Sequence, residues 1–256
     1  MNALDRALAS VGRHLIPFVF VLYVVAYLDR VNVSYAATTM SRDLGMSTAA
    51  YGFGAGIFFL GYVLLEVPSN LMLQRVGARK WISRILLSWG VVAALMAFIT
   101  TPQQFYALRL LLGIAEAGLV PGIILFLSQW VPSRHRARTL TGFVLAIPVA
   151  GLLGGPISAA LLSLQGLAGL AGWRWLFLFE ALPALVLSLL VWFQLPNRPH
   201  QARWLSQSEA DALEAALEQE KLQQHNLQVQ GLGAGLRQPA VWLLSLLNVG
   251  IATGVY

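Results

Sequence analysis

Cysteine is absent from this 256-residue sequence, and charged residues make up only 11% of it. Without cysteine the chain can form no disulfide, no thiolate nucleophile and no cysteine metal site. A soluble domain has about a quarter charged residues. The low charge, together with a mean hydropathy of +0.68, indicates a protein whose surroundings are mostly lipid.

The motifs of hydrolytic and nucleotide-driven membrane proteins are also missing. The sequence has no GxSxG, HExxH or GxxxxGK[ST] pattern, which hydrolases and primary pumps use to place a nucleophile, a metal or phosphates. Its four histidines all lie between or outside the long apolar segments. We therefore predict that the protein is not an enzyme and holds neither a cofactor nor a metal.

Positive charge exceeds negative charge, with 17 basic against 11 acidic residues and a net charge of +6. Such an excess is compatible with nucleic-acid binding, but the basic residues cluster in short segments between apolar runs instead of forming one stripe. Basic clusters at the ends of spans are the pattern that sets orientation in a membrane. We predict a lipid bilayer as the partner of this chain, and no nucleic acid.

Long apolar segments fill most of the sequence. A helix needs about 20 apolar residues to cross a bilayer, and a last, shorter segment begins at Pro239 and runs to Tyr256 as the start of a seventh span. Gly52–Gly56 and Gly118–Gly122 have the GxxxG spacing that favours close helix packing. We predict an all-α membrane protein whose six complete spans are residues 15–38, 50–73, 81–100, 104–131, 138–165 and 174–195.

The connections between spans predict their orientation. Arg75 and Arg79 follow the second span and Arg134 and Arg136 follow the fourth, whereas the connection after the third span, "TTPQQ", carries no charge. Basic loops stay on the cytoplasmic side. We therefore predict a multi-pass protein with a cytoplasmic N-terminus.

The segment after the sixth span is long and polar. Ser206 and Glu209 have the spacing of a capping box, and Leu213 and Leu217 repeat at helical spacing. We predict a short amphipathic cytoplasmic helix inside a linker that has no chemistry of its own. The predicted domains are a six-helix bundle at 1–195, this linker at 196–238, and the beginning of the seventh span at 239–256.

Charged residues inside the predicted spans are few, and they are costly there. Asp29 and Arg30 lie in the first span, and Arg109 and Glu116 lie in the fourth. At about 1.5 Å per residue, Arg109 and Glu116 share one helix face about 10 Å apart, and Asp29 lies at a depth between them. Tyr62 of the second span reaches the depth of Glu116. We predict one compact polar site near the middle of the bilayer.

This set of side chains suits the coupling of an anion to protons. Burial favours the neutral form of an acid, whereas a nearby guanidinium favours its carboxylate. Arginine stays charged and matches a carboxylate with two parallel hydrogen bonds. An organic anion that occupied the arginine would therefore free the protein's own acid to take a proton.

A structural interpretation stays open beside this one, because the same charged residues could simply form buried ion pairs between helices. Two further intramembrane acids are expected to be structural. Glu66 lies two residues before Pro68, and Glu180 is placed near the outer surface, close to Arg174.

Several segments together are similar to one family of transporters. The loop "NLMLQRVGARK" resembles the loop signature of the major facilitator superfamily, G-x-x-x-D-R-x-G-R-R. The segments "YLDRVNVSYA", "RLLLGIAEAGLVPG" and "GWRWLFLFEALPA" resemble, more specifically, the anion:cation symporter family within it. The resemblance covers essentially the whole chain, but only the N-terminal half of the twelve-helix architecture of that family.

The resemblance implies proton-coupled symport of an organic carboxylate across a bacterial inner membrane. It implies that Asp29 and Glu116 are the protonatable pair and that Arg30, Arg109 and Tyr62 bind the substrate. Spans one to three and four to six would be inverted repeats. It also implies a cytoplasmic gating loop of Arg75, Gly77, Arg79 and Lys80.

Alternating access in this fold is the rocking of one six-helix bundle against another around a shared site. We therefore expect that the chain needs a C-terminal six-helix half, in cis or from another chain, and that it does not transport alone. The alternative function is a non-transporting membrane protein that binds or regulates a full-length transporter. The sequence leaves open whether the chain is a fragment or a functional half.

Overall fold

A computed structural model describes residues 2–224, 237–239, 242–243 and 246–247. Most of the predicted seventh span, 239–256, lies outside the described residues. Within the described part, the regular elements are all helical. The α-helices are α1 (Ala3–Asp43), α2 (Thr48–Val76), α3 (Ala78–Met96), α4 (Pro102–Glu116), α5 (Leu119–Ser128), α6 (Ser133–Val144), α7 (Ala146–Leu162), α8 (Gly172–Gln194) and α9 (Gln207–Gln224).

Each of the six predicted spans corresponds to one helix or to one broken helix. Helices α1, α2 and α8 and the pairs α4–α5 and α6–α7 are long and apolar enough to cross a membrane. Helix α3 carries Arg79, Lys80 and Arg84 in its first two turns, where long basic side chains can reach the membrane surface while their stems stay in lipid. The predicted all-α membrane fold is confirmed.

Short connections make successive spans run in opposite directions, which gives the bundle two ends. We call the end at which α1 begins the N-side; it holds the connections 77, 129–132 and 195–206. The opposite end, the far side, holds the connections 44–47, 97–101 and 163–171. On the far side, the Trp173 indole N–H donates to the Asp43 carboxylate over 2.7 Å, which joins the start of α8 to the end of α1.

Close helix pairs build the bundle. Helix α3 lies against α8, where the Ser83 hydroxyl donates to the Ser188 carbonyl over 2.8 Å and the Ser188 hydroxyl donates to the Ser83 carbonyl over 3.1 Å. Helix α2 lies against α4, and α1 lies against α7. Reciprocal bonds of this kind satisfy polar groups that lipid cannot.

Two apolar clusters fill the interior, one toward each end of the bundle. Three helices contribute residues to both clusters. On each of them, a short segment separates the residues of one cluster from those of the other: 26–33 on α1, 105–112 on α4 and 177–181 on α8. We call the level of these segments the charged layer. The segments contain the buried residues Asp29, Arg109 and Glu180.

The predicted linker helix is present as α9. The Ser206 N–H donates to the Glu209 carboxylate over 2.9 Å at its start, in the manner of a capping box. Leu213 and Leu217 are buried against the bundle, as their spacing indicated. The division of the chain into three domains stays a prediction.

Ion pairs hold α9 against the N-side of the bundle. Arg6 at the start of α1 lies 3.6 Å from Glu209, and Arg136 on α6 lies 3.0 Å from Glu220. The Ser133 N–H also donates to Glu220 over 2.7 Å. Partial burial raises the pKa of Glu220, but the Ser133 N–H and the Arg136 charge outweigh it and bring that pKa below its ordinary value.

Candidate functional site

The adjacent residues Asp29 and Arg30 on α1 point in different directions at the charged layer. Successive residues of a helix project about 100° apart, yet Asp29 and Arg30 both come near Glu116 from their different directions. Asp29 is 2% exposed inside the bundle. The Arg30 guanidinium reaches Glu116 on α4 over 3.2 Å and lies over the Tyr62 ring, 5.0 Å from its centroid. The site therefore joins α1, α2 and α4.

Arg109 is buried on α4, one level further toward the far side. Its guanidinium lies over the Phe58 ring, 4.6 Å from the centroid, and one of its Nη atoms donates weakly to the Ala55 carbonyl over 3.4 Å. Its Nε–H has no hydrogen-bond partner within the described residues. A planar donor with spare N–H capacity is the group that binds a carboxylate in bidentate fashion.

Asp29 lies within electrostatic range of both Glu116 and Arg109. It also faces the Trp89 indole on α3, although the described residues place no partner at hydrogen-bonding distance from that N–H. One oxygen of Asp29 and one of Glu116 lack a hydrogen-bond partner in the described part of the chain. Unsatisfied buried carboxylate oxygens are costly, so this cluster is suited to receive protons.

A break in the fourth span fixes the position of Glu116. Helix α4 ends at Glu116, and Gly118 adopts a left-handed conformation with φ +83° before α5 begins. A Cβ at Gly118 would meet the Ser69 side chain of α2, so only glycine allows both this backbone and this approach. Broken helices at the middle of the membrane are where transporters place their sites.

The five residues predicted to bind substrate and protons lie close together, in the charged layer or directly beside it on α2 and α4. Within the described residues, no group of three metal-binding side chains is present. The Arg30–Glu116 pair also agrees with the structural interpretation, and the functional roles stay predictions. The five residues are Asp29, Arg30, Tyr62, Arg109 and Glu116.

The position expected for Glu180 is wrong. Glu180 lies at the level of Asp29, where it faces Asn32 and Asp29 of α1 and is 7% exposed. Its sequence position shows neither the face of α8 on which it lies nor the part of α1 opposite it. Arg174 is held elsewhere, donating to the Ile99 carbonyl over 3.0 Å.

Sequence reasoning also missed Phe58, Trp89 and Asn32. Asn32 lies three residues after Asp29, and this spacing, which puts both on one helix face, was a signal that could have found it. Phe58 lies between the two guanidinium groups. No feature of the sequence separates Phe58 from the other aromatic residues of α2, because all of them suit lipid equally well.

The predicted gating loop divides into two kinds of residue. Gly77 has φ +93° between α2 and α3. The Arg79 side chain donates to the Trp192 carbonyl over 2.6 Å, and its backbone N–H donates to Asn197 over 3.0 Å, so it caps the end of α8. Arg75 and Lys80 are exposed. The loop also borders a cavity of about 790 Å³ between the bundle and α9.

A bundle of apolar helices around buried acids and guanidinium groups is the architecture of a membrane protein with several spans. The family model of the Major Facilitator Superfamily matches residues 19–256. The chain therefore belongs to the Major Facilitator Superfamily.

Named relatives agree with this family. The chain is 48% identical over 251 residues to a putative tartrate transporter of Agrobacterium vitis, covering 98% of this chain and 58% of the relative. It is 44% identical to the putative metabolite transport protein NicT of Pseudomonas putida, covering 94% of this chain and 55% of the relative. The chain thus spans little more than half the length of these relatives.

A solved structure supports the fold. The xylose transporter XylE from E. coli, in a partially occluded inward-open conformation, superimposes with a TM-score of 0.68 at 15% identity. The match covers 86% of this chain and 60% of XylE. At this identity the likeness concerns the arrangement of helices alone.

Proposed function

We propose that this chain supplies one half of a proton-coupled transporter that carries an organic carboxylate into the cell across a bacterial inner membrane. The observation that carries the proposal is the 3.2 Å ion pair between Arg30 and Glu116, which lies beside Asp29 and Arg109 in the charged layer. Buried ion pairs are weak sources of stability. A functional role explains better why two acids and two guanidinium groups share one layer.

Substrate binding and proton binding are coupled by competition for arginine. A substrate carboxylate binds the guanidinium groups of Arg30 and Arg109 and displaces the Glu116 carboxylate from Arg30. Glu116 then lies buried without its cation, and it takes a proton. The anion adds one negative charge and the proton removes one, so the charge of the layer does not change.

The remaining predicted residues support this exchange. Asp29 provides a second place for a proton beside Glu116. The Tyr62 ring under Arg30 and the Phe58 ring under Arg109 hold the guanidinium planes by cation–π contact. Charge placement supports an orientation with the N-side in the cytoplasm, where the Arg79 side chain joins the gating loop to α8.

The substrate class follows from the arginines and from the relatives. Arg109 offers a fork that suits a planar carboxylate, and a relative with 48% identity is named a putative tartrate transporter. The middle of the fifth span, 142–156, has no hydroxyl or amide side chain. Tartrate and an aromatic carboxylate are therefore the two substrates to compare.

Transport needs a second bundle opposite the charged layer, because both halves contribute to alternating access in this fold. The test uses proteoliposomes with an acid-outside pH gradient. They contain either the chain alone or the chain joined to the C-terminal half of the Agrobacterium relative. We expect carboxylate accumulation from the joined protein and none from the chain alone.

Glu116→Gln in the joined protein decides the mechanism. Glutamine cannot carry the proton, so gradient-driven accumulation should fall to the background level while exchange of labelled for unlabelled substrate continues. Glu218→Gln, the same change on the exposed face of α9, is the matched control and should leave both activities unchanged. Undiminished accumulation by Glu116→Gln contradicts the proposal. If instead the chain alone alters uptake by a co-expressed full-length relative, the regulatory alternative is correct.

A further inference from the structure

Glu180 is a buried acid that the proposed exchange does not use. It lies eight residues into α8, about 12 Å along the helix, and only 7% of it is exposed. Both of its carboxylate oxygens are buried and lack a hydrogen-bond partner within the described residues. The amide nitrogen of Asn32, the side chain that it faces on α1, also lacks a partner there.

The helices packed against Glu180 bring no cation to it. Helix α1 presents Asp29, another acid, and α7, from Ala146 to Leu162, contains no charged residue. The basic residues of α3 lie toward the N-side. Because Ser83 pairs with Ser188, the neighbouring Arg84 lies about eight residues, or roughly 12 Å, from the level of Glu180.

Helix α8 itself does not supply a cation either. Its Arg174 lies six residues before Glu180, roughly 9 Å toward the far side. The Arg174 guanidinium donates to the carbonyls of Ala97 and Ile99 in the connection between α3 and α4. Among the described residues, Glu180 is therefore an acid without an opposing charge.

A count of charges shows where a proton is needed. The charged layer and its neighbourhood hold three buried acids and two guanidinium groups, and the half-buried Glu66 also lies within electrostatic range of Arg30. Full ionisation would therefore leave at least one excess negative charge. Asp29 has Arg109 nearby and Glu116 has Arg30. Uncompensated charge is strongly disfavoured in a dry interior. A proton on one of the three buried acids removes the excess charge among them, and the acid with no cation nearby holds it at the lowest cost.

We propose that Glu180 is a third proton-carrying residue, which stores a proton and exchanges it with Asp29. The inference rests on the proposed function, since it gives the proton of the transport cycle a defined store. When Asp29 is a carboxylate, the O–H of Glu180 gives up its proton and Asp29 becomes the neutral acid. Glu180 becomes the carboxylate. The pair carries one negative charge before and after the step, so no charge has to leave the layer.

Infrared spectroscopy of the purified chain in lipid nanodiscs tests this proposal without requiring transport. A protonated carboxyl has a C=O stretching band separate from the carboxylate bands. We expect such a band at neutral pH and its loss in Glu180→Gln. The matched control, Glu218→Gln on the exposed face of α9, should keep the band.

A second measurement separates proton storage from a merely structural role. Asp29→Asn removes the like charge beside Glu180, so the acid band should disappear at lower pH in this variant than in the unchanged chain. An identical disappearance in the two chains contradicts exchange between the two acids.

Glu180→Asp covers the case in which Glu180→Gln does not fold. It keeps an acid at the position, so a folded Glu180→Asp should show the band at a shifted frequency. A band at the same frequency and intensity in Glu180→Asp or in a folded Glu180→Gln overturns the proposal. The infrared band is measured without a pH gradient. Its absence would therefore contradict the proton store at Glu180, whereas a failure of proton-driven uptake would contradict the proposed transport function.

Discussion

Arg109 shows what a guanidinium needs when it is buried among apolar helices. The Phe58 ring covers one side of the group, and the Ala55 carbonyl accepts a weak hydrogen bond from its edge. These contacts replace part of the water that a charge loses on burial, but they leave the Nε–H without a partner among the described residues. The contacts with Phe58 and Ala55 thus orient the Arg109 guanidinium, and its Nε–H stays available to donate to another group.

Arg109→Lys tests this arrangement in the joined protein. A lysine ammonium keeps the charge but loses both the planar fork and much of the stacking on Phe58. The loss of one charge-assisted hydrogen bond costs about 1.5–3 kcal/mol, so the concentration for half-maximal uptake should rise roughly ten-fold or more. Uptake measured over a range of substrate concentrations gives this value.

Arg42→Lys is the matched control for that substitution. Arg42 lies at the far end of α1 and is exposed, so the same exchange of a guanidinium for an ammonium should leave uptake unchanged. Equal effects of the two substitutions would mean that Arg109 does not contact the substrate.

The sequence alone was enough to single out Asp29, Arg30, Arg109 and Glu116, because the cost of charge in a membrane makes such residues rare and conspicuous. The sequence alone could not predict which of these residues pair with each other. Arg30 on α1 pairs with Glu116 on α4, and this contact depends on the rotation of each helix about its own axis. Apolar surroundings provide no pattern from which that rotation could be read, and the misplaced Glu180 has the same cause.

Glycines at the contact of α2 with α4 set how closely these two helices approach. A Cβ added at Gly61 would lie 2.6 Å from the Leu110 carbonyl oxygen, and one at Gly113 would overlap the Phe58 carbonyl. This contact places Phe58 against Arg109. Of the two predicted GxxxG pairs, Gly118 and Gly122 both lie in close contact with α2, whereas Gly52 and Gly56 both have nothing within 4 Å of an added Cβ.

Gly113→Ala should destabilise the bundle, because an extra methyl group in a filled contact costs about 1–3 kcal/mol. Gly52→Ala should be neutral or stabilising, because its added methyl meets open space and alanine favours helix by up to about 1 kcal/mol. Thermal unfolding of the purified chain in detergent, followed by circular dichroism, compares the two. A lower midpoint for Gly52→Ala than for Gly113→Ala would contradict the described contact.

Hydropathy predicted the existence of each span, because lipid demands long apolar helices. It did not predict their ends. Helix α1 runs from Ala3 to Asp43, beyond the predicted 15–38, since a helix can continue into water where capping and polar residues support it. The break at Gly118 follows from a left-handed residue and a contact with α2, and only the glycine itself was visible in the sequence.

The two ends of the molecule differ in charge. The N-side connections and the helix ends beside them carry basic residues such as Arg134 and Arg198, whereas the far-side connection 97–101 carries none. This asymmetry predicts that the N-side faces the cytoplasm. Because the chain has no cysteine, single cysteines can report the orientation without background.

Gln103→Cys on the far side and Arg134→Cys on the N-side test the orientation in intact cells. Both positions are exposed. A membrane-impermeant maleimide should label the cysteine at 103 in intact cells and the one at 134 only after permeabilisation. The unchanged chain should remain unlabelled in both conditions, and the reverse pattern would invert the predicted topology.

Helix α9 contacts both halves of the six-span bundle. Glu209 pairs with Arg6 on α1, and Glu220 pairs with Arg136 on α6. The two acids are eleven residues apart in α9, which corresponds to roughly 16 Å along the helix axis. Such a brace links the N-side ends of α1 and α6, so it favours tilting of the first and fifth spans together.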